Sequence, residues 1–303
     1  MATKTIIIGM GSFGYDVCEI LVKRIEAEYG KLDRVPWVKF MVYETEQMEA
    51  QFLGRRDLVK HMGIGNQKWG KYFASPHDFQ PKIEFETWAD PRVRRVLQAG
   101  GVPLKGANNV RPTGRLCFLD EDNLGIFNRQ FKMIFDDLKA LTVDKATTAR
   151  GKLRNGDESA VVFTGVGADV KHNIRVVLIG SLTGGTNSGS FIDIGQFVRS
   201  VPGVGDQISV EAILSIPGSG YDERVHWGNT FAALTELNHF HGGKPYRAKF
   251  ATRPAATESN SLPFDKVSLV QPPTGTLDPT GLQPMKHSVA EIIHLGSFSD
   301  SGN

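Results

Sequence analysis

The chain has 303 residues, of which 40% are hydrophobic and 22% charged, with a formal net charge of +2. That length holds one large α/β domain or two small ones, and the near-neutral charge argues against nucleic acid or a membrane surface as the main partner. No apolar run approaches a membrane span, no secretory leader precedes the first strand, and two cysteines (Cys18 and Cys117) are too few for a disulfide framework, so a reducing cytoplasm is expected.

Residues 5–8 read as a β-branched strand that enters Gly9-Met10-Gly11-Ser12-Phe13-Gly14, with helical periodicity over 15–28. A second buried strand is expected at 37–43. Residues 47–89 read as an irregular surface excursion, 91–99 as a short helix and 100–109 as a glycine-bearing loop. A strong helix is expected at 124–141, with Ile126, Phe127, Phe131, Ile134, Phe135 and Leu138 on one broad face. Residues 142–173 form a polar, glycine-rich insertion, best read as a hairpin or a mobile segment. A buried strand from Ile174 then runs into Thr183-Gly184-Gly185-Thr186-Asn187-Ser188-Gly189, and a helix is expected over 191–201. A strand at 208–216, a helix at 227–239, a polar loop at 244–261, a strand at 264–270 and a helix from 288 complete the pattern. Strands alternating with helices imply an α/β fold, a mostly parallel sheet with helices on both faces, whose ligands sit at the carboxyl ends of the strands.

The segment at 183–189 is the most informative. A strand, a tight glycine turn and a helix N-terminus present unpaired amides and the positive end of a helix dipole, a setting for phosphate oxygens. The Thr186 and Ser188 hydroxyls can donate or help hold a metal. The lysine of a Walker loop is missing. Alone, Gly9–Gly14 followed by Glu44 and Glu46 is the dinucleotide fingerprint of an NAD-dependent Rossmann oxidoreductase. A second phosphate loop weighs against that, because one pyrophosphate needs one loop, whereas two suit a triphosphate gripped from both sides.

The chain resembles the tubulin/FtsZ superfamily in the order of six loops across residues 5–271. Gly9, Gly11, Ser12, Phe13 and Asp16 are similar to the first nucleotide loop, and Tyr43-Glu44-Thr45-Glu46 to the Asn-Thr-Asp that ends the second strand. Gly106-Ala107-Asn108-Asn109 resembles the loop that senses the γ-phosphate. Thr183 to Gly189 aligns with the GGGTGTG signature. The segment from Ser215 to Arg224, with Pro217 and Asp222, resembles the ribose loop, and Gln271 ends the strand that carries a base-contacting Asn. The stretches at 111–115 and 229–237 look most like the bacterial tubulin-like proteins, a divergent branch.

Departures from the family pattern alter the chemistry. Thr183 and Asn187 replace two signature glycines. Asp16 stands for an Asn; a carboxylate can accept both the N1 and N2 protons of guanine, while the same residue also reads as a first-turn acid on the helix dipole. Arg111 and Arg115 read equally as charge-assisted contacts or as structural ion pairs. His239 and His241, at i and i+2, lack the spacing of metal ligands on one helical face, so no metal site is assigned.

The resemblance implies a tubulin/FtsZ-like nucleotide-binding domain over residues 1–303 that binds GTP or GDP with Mg²⁺. It also implies nucleotide-controlled head-to-tail self-association into filaments, or contact with other protein subunits, with GTP hydrolysis completed by a neighbouring subunit. The family's acidic loop and activation domain are expected to be absent from this chain. It is then either a fragment or a tubulin-like fold without self-activated hydrolysis, with slow turnover alone. A non-hydrolysing, nucleotide-bound scaffold is the remaining alternative.

Overall fold

A computed structural model of the protein describes residues 3–45, 59–63, 107, 109–141, 149–152, 158–161, 174–218, 224–248, 250, 257–272 and 282–298. The strands are β1 (Thr5–Met10), β2 (Val38–Glu44), β3 (Val59–Gly63), β4 (Ala149–Lys152), β5 (Glu158–Val161), β6 (Ile174–Ser181), β7 (Ile208–Ser215), β8 (Tyr246–Ala248), β9 (Thr257–Ser259) and β10 (Lys266–Val270). The helices are α1 (Gly11–Tyr29), α2 (Arg111–Leu119), α3 (Glu121–Ala140), α4 (Gly185–Ser200), α5 (Arg224–His241) and α6 (Leu282–Phe298). Six strands form one sheet in the order β10-β7-β6-β1-β2-β3, and every neighbouring pair is parallel.

Because a strand alternates its side chains, a parallel sheet covered on both faces divides each strand between two cores. Ile6, Ile8 and Met10 of β1 join one core and Ile7 the other; in β6, Val176 and Leu178 part from Val177 and Ile179 in the same way. The first core is closed by α2, α3 and α4 and is rich in rings. Phe118 and Phe127 meet edge to face at 5.3 Å, and Phe127 meets Phe197 at 5.8 Å. Each ring removed from water is worth about 1.5–3 kcal/mol. The second core lies under α1 and α6, where Leu21, Val22 and Ile25 are buried with Val289, Ala290 and Ile293. Tyr29 stacks on Phe298 at 5.3 Å.

The sheet and its helix-covered faces follow the expected α/β pattern, but several elements differ from their predicted form. β3 lies inside the stretch expected to be irregular and extends the sheet beyond β2. α1 begins at Gly11 rather than at residue 15, and α4 at Gly185 rather than 191, so each glycine segment is largely a helix start. α2, opened by Pro112 in its first turn, was not anticipated. On α3 the apolar stripe is narrower than predicted: Ile126 is 37% exposed while its five partners are buried. Residues expected as a polar loop at 244–261 include a β8–β9 hairpin whose Tyr246 and Ala248 are buried, and Phe250 beside it is buried as well. The hairpin expected in 142–173 is present as β4–β5. The expected helix at 91–99 lies outside the described residues. No described helix is long and apolar enough to cross a membrane.

Candidate functional site

In this sheet β1 pairs with β2 on one side and β6 on the other, and the helices that follow β1 and β6 depart to opposite faces. That is the switch point at which ligands bind in open α/β sheets. A cavity of about 440 Å³ opens there, at the carboxyl ends of β1, β2, β6 and β7. The first three residues of α1 (Gly11, Ser12, Phe13) and of α4 (Gly185, Thr186, Asn187) all line it. The N-cap positions of both helices, Met10 and Gly184, supply no side-chain cap. The first-turn N–H groups, which have no partner within a helix, therefore face the cavity without side-chain caps, with both helix dipoles behind them.

Gly11 adopts φ +64°, a left-handed conformation that favours glycine and lets the chain turn from strand into helix. At Gly184 a Cβ would meet only Asn109 Oδ1, at 3.8 Å, so the backbone there is open to the cavity.

A buried polar network joins the loops. Glu44, 1% exposed, accepts from Ser12 Oγ (3.3 Å), Thr45 N (2.7 Å) and Thr186 Oγ1 (3.4 Å). Thr45 Oγ1 lies 2.6 Å from Thr186 Oγ1 and accepts from Ala107 N at 3.0 Å. At the far end, Asp16 and Lys286 pair at 2.6 Å between α1 and α6, both on the cavity wall. Asp16 lies in the second turn of α1, past the reach of a first-turn acid on the dipole. Ser215, Pro217, Gly218, Pro272 and Leu282 add a further part of the wall.

The predicted residues therefore divide. Gly11, Ser12, Phe13, Asp16, Glu44, Ala107, Thr183, Gly184, Gly185, Thr186, Asn187 and Pro217 line one cavity. Gly9, Ser188, Gly189 and Gln271 do not. A Cβ on Gly9 would come within 2.7 Å of Cys18 Sγ, and one on Gly189 within 2.1 Å of Arg111 O, so both serve close backbone packing. The Ser188 hydroxyl turns back to Gly184 O, and Gln271 donates to Pro217 O at 3.0 Å. Gly106, Asn108 and Asp222 lie outside the described residues.

Arg111 and Arg115 resolve into structural roles. Arg111 donates to Ser188 O and to Glu236. Arg115 pairs with Asp193 at 2.8 Å, and the Tyr246 hydroxyl donates to the same oxygen at 2.6 Å. Burial and then the Asp193 carboxylate push the Tyr246 phenol well above its ordinary value, so it remains a donor. Among the described residues no group of three His, Cys, Asp or Glu is placed to hold a metal. Asn109, in the loop expected to sense the γ-phosphate, lines the cavity too, while the wall residues His226 and Lys286, on two helices remote in the chain, were not found from the sequence.

The profile of the family described as "Tubulin like" matches residues 6–300, so the chain belongs to the tubulin-like family, within the tubulin/FtsZ superfamily. A solved structure shares the fold. The CetZ2 structure from Haloferax volcanii, a GTPγS-bound protofilament, has a TM-score of 0.52 at 12% identity, covering 98% of this chain and 59% of its own. GDP-bound monomeric CetZ1 from the same organism gives 0.48 at 12% identity over 99% of this chain and 62% of its own. TubZ of Bacillus thuringiensis serovar israelensis, in a GTPγS-form protofilament, gives 0.47 at 12% over 99% and 57%. The chain thus spans about three-fifths of the length of these proteins. No curated protein matches it.

Proposed function

We propose that this domain binds a guanine nucleotide in the cavity at the carboxyl ends of β1, β2, β6 and β7, and that the bound nucleotide controls head-to-tail self-association into filaments. The observation that carries this reading is the convergence of the first turns of α1 and α4, neither with a side-chain cap, on one cavity. Two such N-termini suit the oxygens of a di- or triphosphate. Membership of the tubulin-like family and the CetZ2 protofilament support the assembly part.

The residues fit a divalent cation as well. Lys286 is committed to Asp16, while Glu44, Ser12 and Thr186 gather oxygen donors between the two helix starts. Mg²⁺ favours carboxylate, hydroxyl and phosphate oxygens, and bound here it would neutralise phosphate charge. For hydrolysis, Glu44 is engaged by three donors and Asp16 by Lys286. That engagement supports an attacking water oriented by an acid from a neighbouring subunit. Against the oxidoreductase alternative stands the second uncapped helix start, that of α4, on the same cavity, because the pyrophosphate of a dinucleotide needs only one.

Equilibrium dialysis with GTP, GDP, ATP and NAD tests the ligand class: guanine nucleotides are expected to bind, and preferential NAD binding would refute the proposal. Sedimentation in GTP against GDP tests assembly, with more pelleted protein expected in GTP. Phosphate release is expected to be negligible in dilute, unassembled protein. A fast rate independent of protein concentration would place the acid within one subunit.

A further inference from the structure

The turn closed by the Val110 N–H on Ala107 O, at 2.7 Å, is gripped from two sides, at Ala107 and at Asn109. On the buried side, Ala107 N donates to Thr45 Oγ1, which lies against Thr186 Oγ1 of α4. On the outer side, the side-chain nitrogen of Asn229 in α5 lies 2.8 Å from Asn109 O and 2.8 Å from Thr183 O. A carboxamide has two N–H donors, and here each is spent on a carbonyl from a different loop of the cavity wall. Both partners only accept, so the nitrogen and not the oxygen of Asn229 must face them.

The gripped turn is also the strained one. Asn109 has φ +58°, the only positive value at a non-glycine residue among the described residues. Such a conformation persists where its surroundings hold it. Helix α5 is a firm base for the grip. Glu236, two turns beyond Asn229 and on the same face, pairs with Arg111 at 2.7 Å, and the Arg111 guanidinium donates to Ser188 O in α4.

We propose that Asn229 is a positioning residue, a latch that fixes Asn109 to the Thr183–Gly184 loop and so sets the gap for a terminal phosphate. This rests on the nucleotide reading above. Ala107 and Asn109 line the same cavity as Gly184 and the first turn of α4, and a Cβ on Gly184 would meet Asn109 Oδ1 at 3.8 Å, so on the nucleotide reading a phosphate beyond the two held at the helix starts would lie between these walls. The latch therefore acts on the difference between triphosphate and diphosphate rather than on binding in general.

The test uses the full chain with Asn229→Ala and Asn229→Asp, titrated with GTPγS and with GDP, and melted without nucleotide. The Asp variant keeps the shape of the side chain but has no N–H to give. Affinity for GTPγS is expected to fall about tenfold or more and that for GDP less than about threefold, with little change in melting. Equal losses for the two nucleotides, or no loss, would overturn the latch, because a merely structural residue gives that pattern. Should one variant melt early, the ratio of the two affinities in the other decides, together with amide exchange over 109–114. Faster exchange there is expected, and unchanged exchange would contradict the grip. An unmutated protein that binds neither nucleotide would instead refute the nucleotide reading itself.

Discussion

The glycine-rich segments after β1 and after β6 look alike in sequence and divide their work differently. Of the three glycines at the β1–α1 junction, two serve packing: a Cβ on Gly9 would meet Gly14 O at 2.7 Å, and one on Gly14 would meet Ile179 O at 2.4 Å. Only Gly11 turns to the cavity. After β6, Gly184 and Gly185 both line the cavity, while Gly189 lets α4 lie against α2. Gly185 does both, since its Cβ would also meet Val110 N at 2.7 Å. A glycine pattern marks close approach of backbone to something; which glycines meet ligand and which meet another strand or helix is decided by the fold.

That division can be broken by substitution. The largest effect is expected from Gly14→Ala, which drives a methyl into main chain at Ile179 and should cost about 3 kcal/mol of stability. Denaturant unfolding checks it, and an unchanged midpoint would deny the packing role. Gly184→Val should do the opposite. Its side chain enters open space without a backbone clash, so melting should hold while nucleotide affinity falls by about tenfold or more, roughly 1.4 kcal/mol. If Gly184→Val unfolds the protein and Gly14→Ala merely weakens binding, the two roles are exchanged.

A smaller effect is expected at the other end of the cavity. Asp16→Asn trades a carboxylate held by Lys286 for an amide, placing a donor among the N–H groups of guanine. The preference for GTP over ATP should shrink by about threefold to tenfold. Equal binding of GTP and ATP by the unmutated protein would remove Asp16 as a base reader.

The smallest effect belongs to the α1–α6 packing. Burial, outweighing the nearby Glu28, lowers the pKa of His294 below its ordinary value. A histidine neutral in the fold and more readily protonated when unfolded contributes stability above its unfolded pKa, about 6.5, and loses it as pH falls through that value. His294→Phe, which keeps a ring against Phe298, should flatten the loss between about pH 7.5 and pH 5.5 in urea unfolding. An unchanged slope would assign the loss to other groups.

Much of this was legible because burial leaves a mark on composition. The strands β1, β2, β6 and β7 are largely apolar and buried, and α3 carries an amphipathic stripe behind an Asp120 cap that accepts from Asp122 N and Asn123 N. The helix starts at Gly11 and Gly185 were hidden, since Gly, Ser and Thr are weak helix formers and only the sheet behind them fixes their conformation. β3, with Lys60 and His61 at its centre, has no apolar alternation to betray it. The crossing of α2 and α4 depends on Gly114, whose Cβ would meet Gly185 O at 2.0 Å, a contact no local pattern announces. Lys286 reaches the cavity, and Asn229 the loops of its wall, from distant helices, so their partners Asp16, Asn109 and Thr183 could be found only in three dimensions.

Everything proposed here turns on what occupies the cavity between α1 and α4. Acid extraction of the purified protein, or of protein first equilibrated with mixed nucleotides and washed, releases the ligand for identification by chromatography. The account predicts GDP or GTP at close to one equivalent per chain, lost in Gly184→Val and retained in variants outside the cavity wall. Recovery of NAD or of an adenine nucleotide, or of guanine nucleotide undiminished by Gly184→Val, would contradict it.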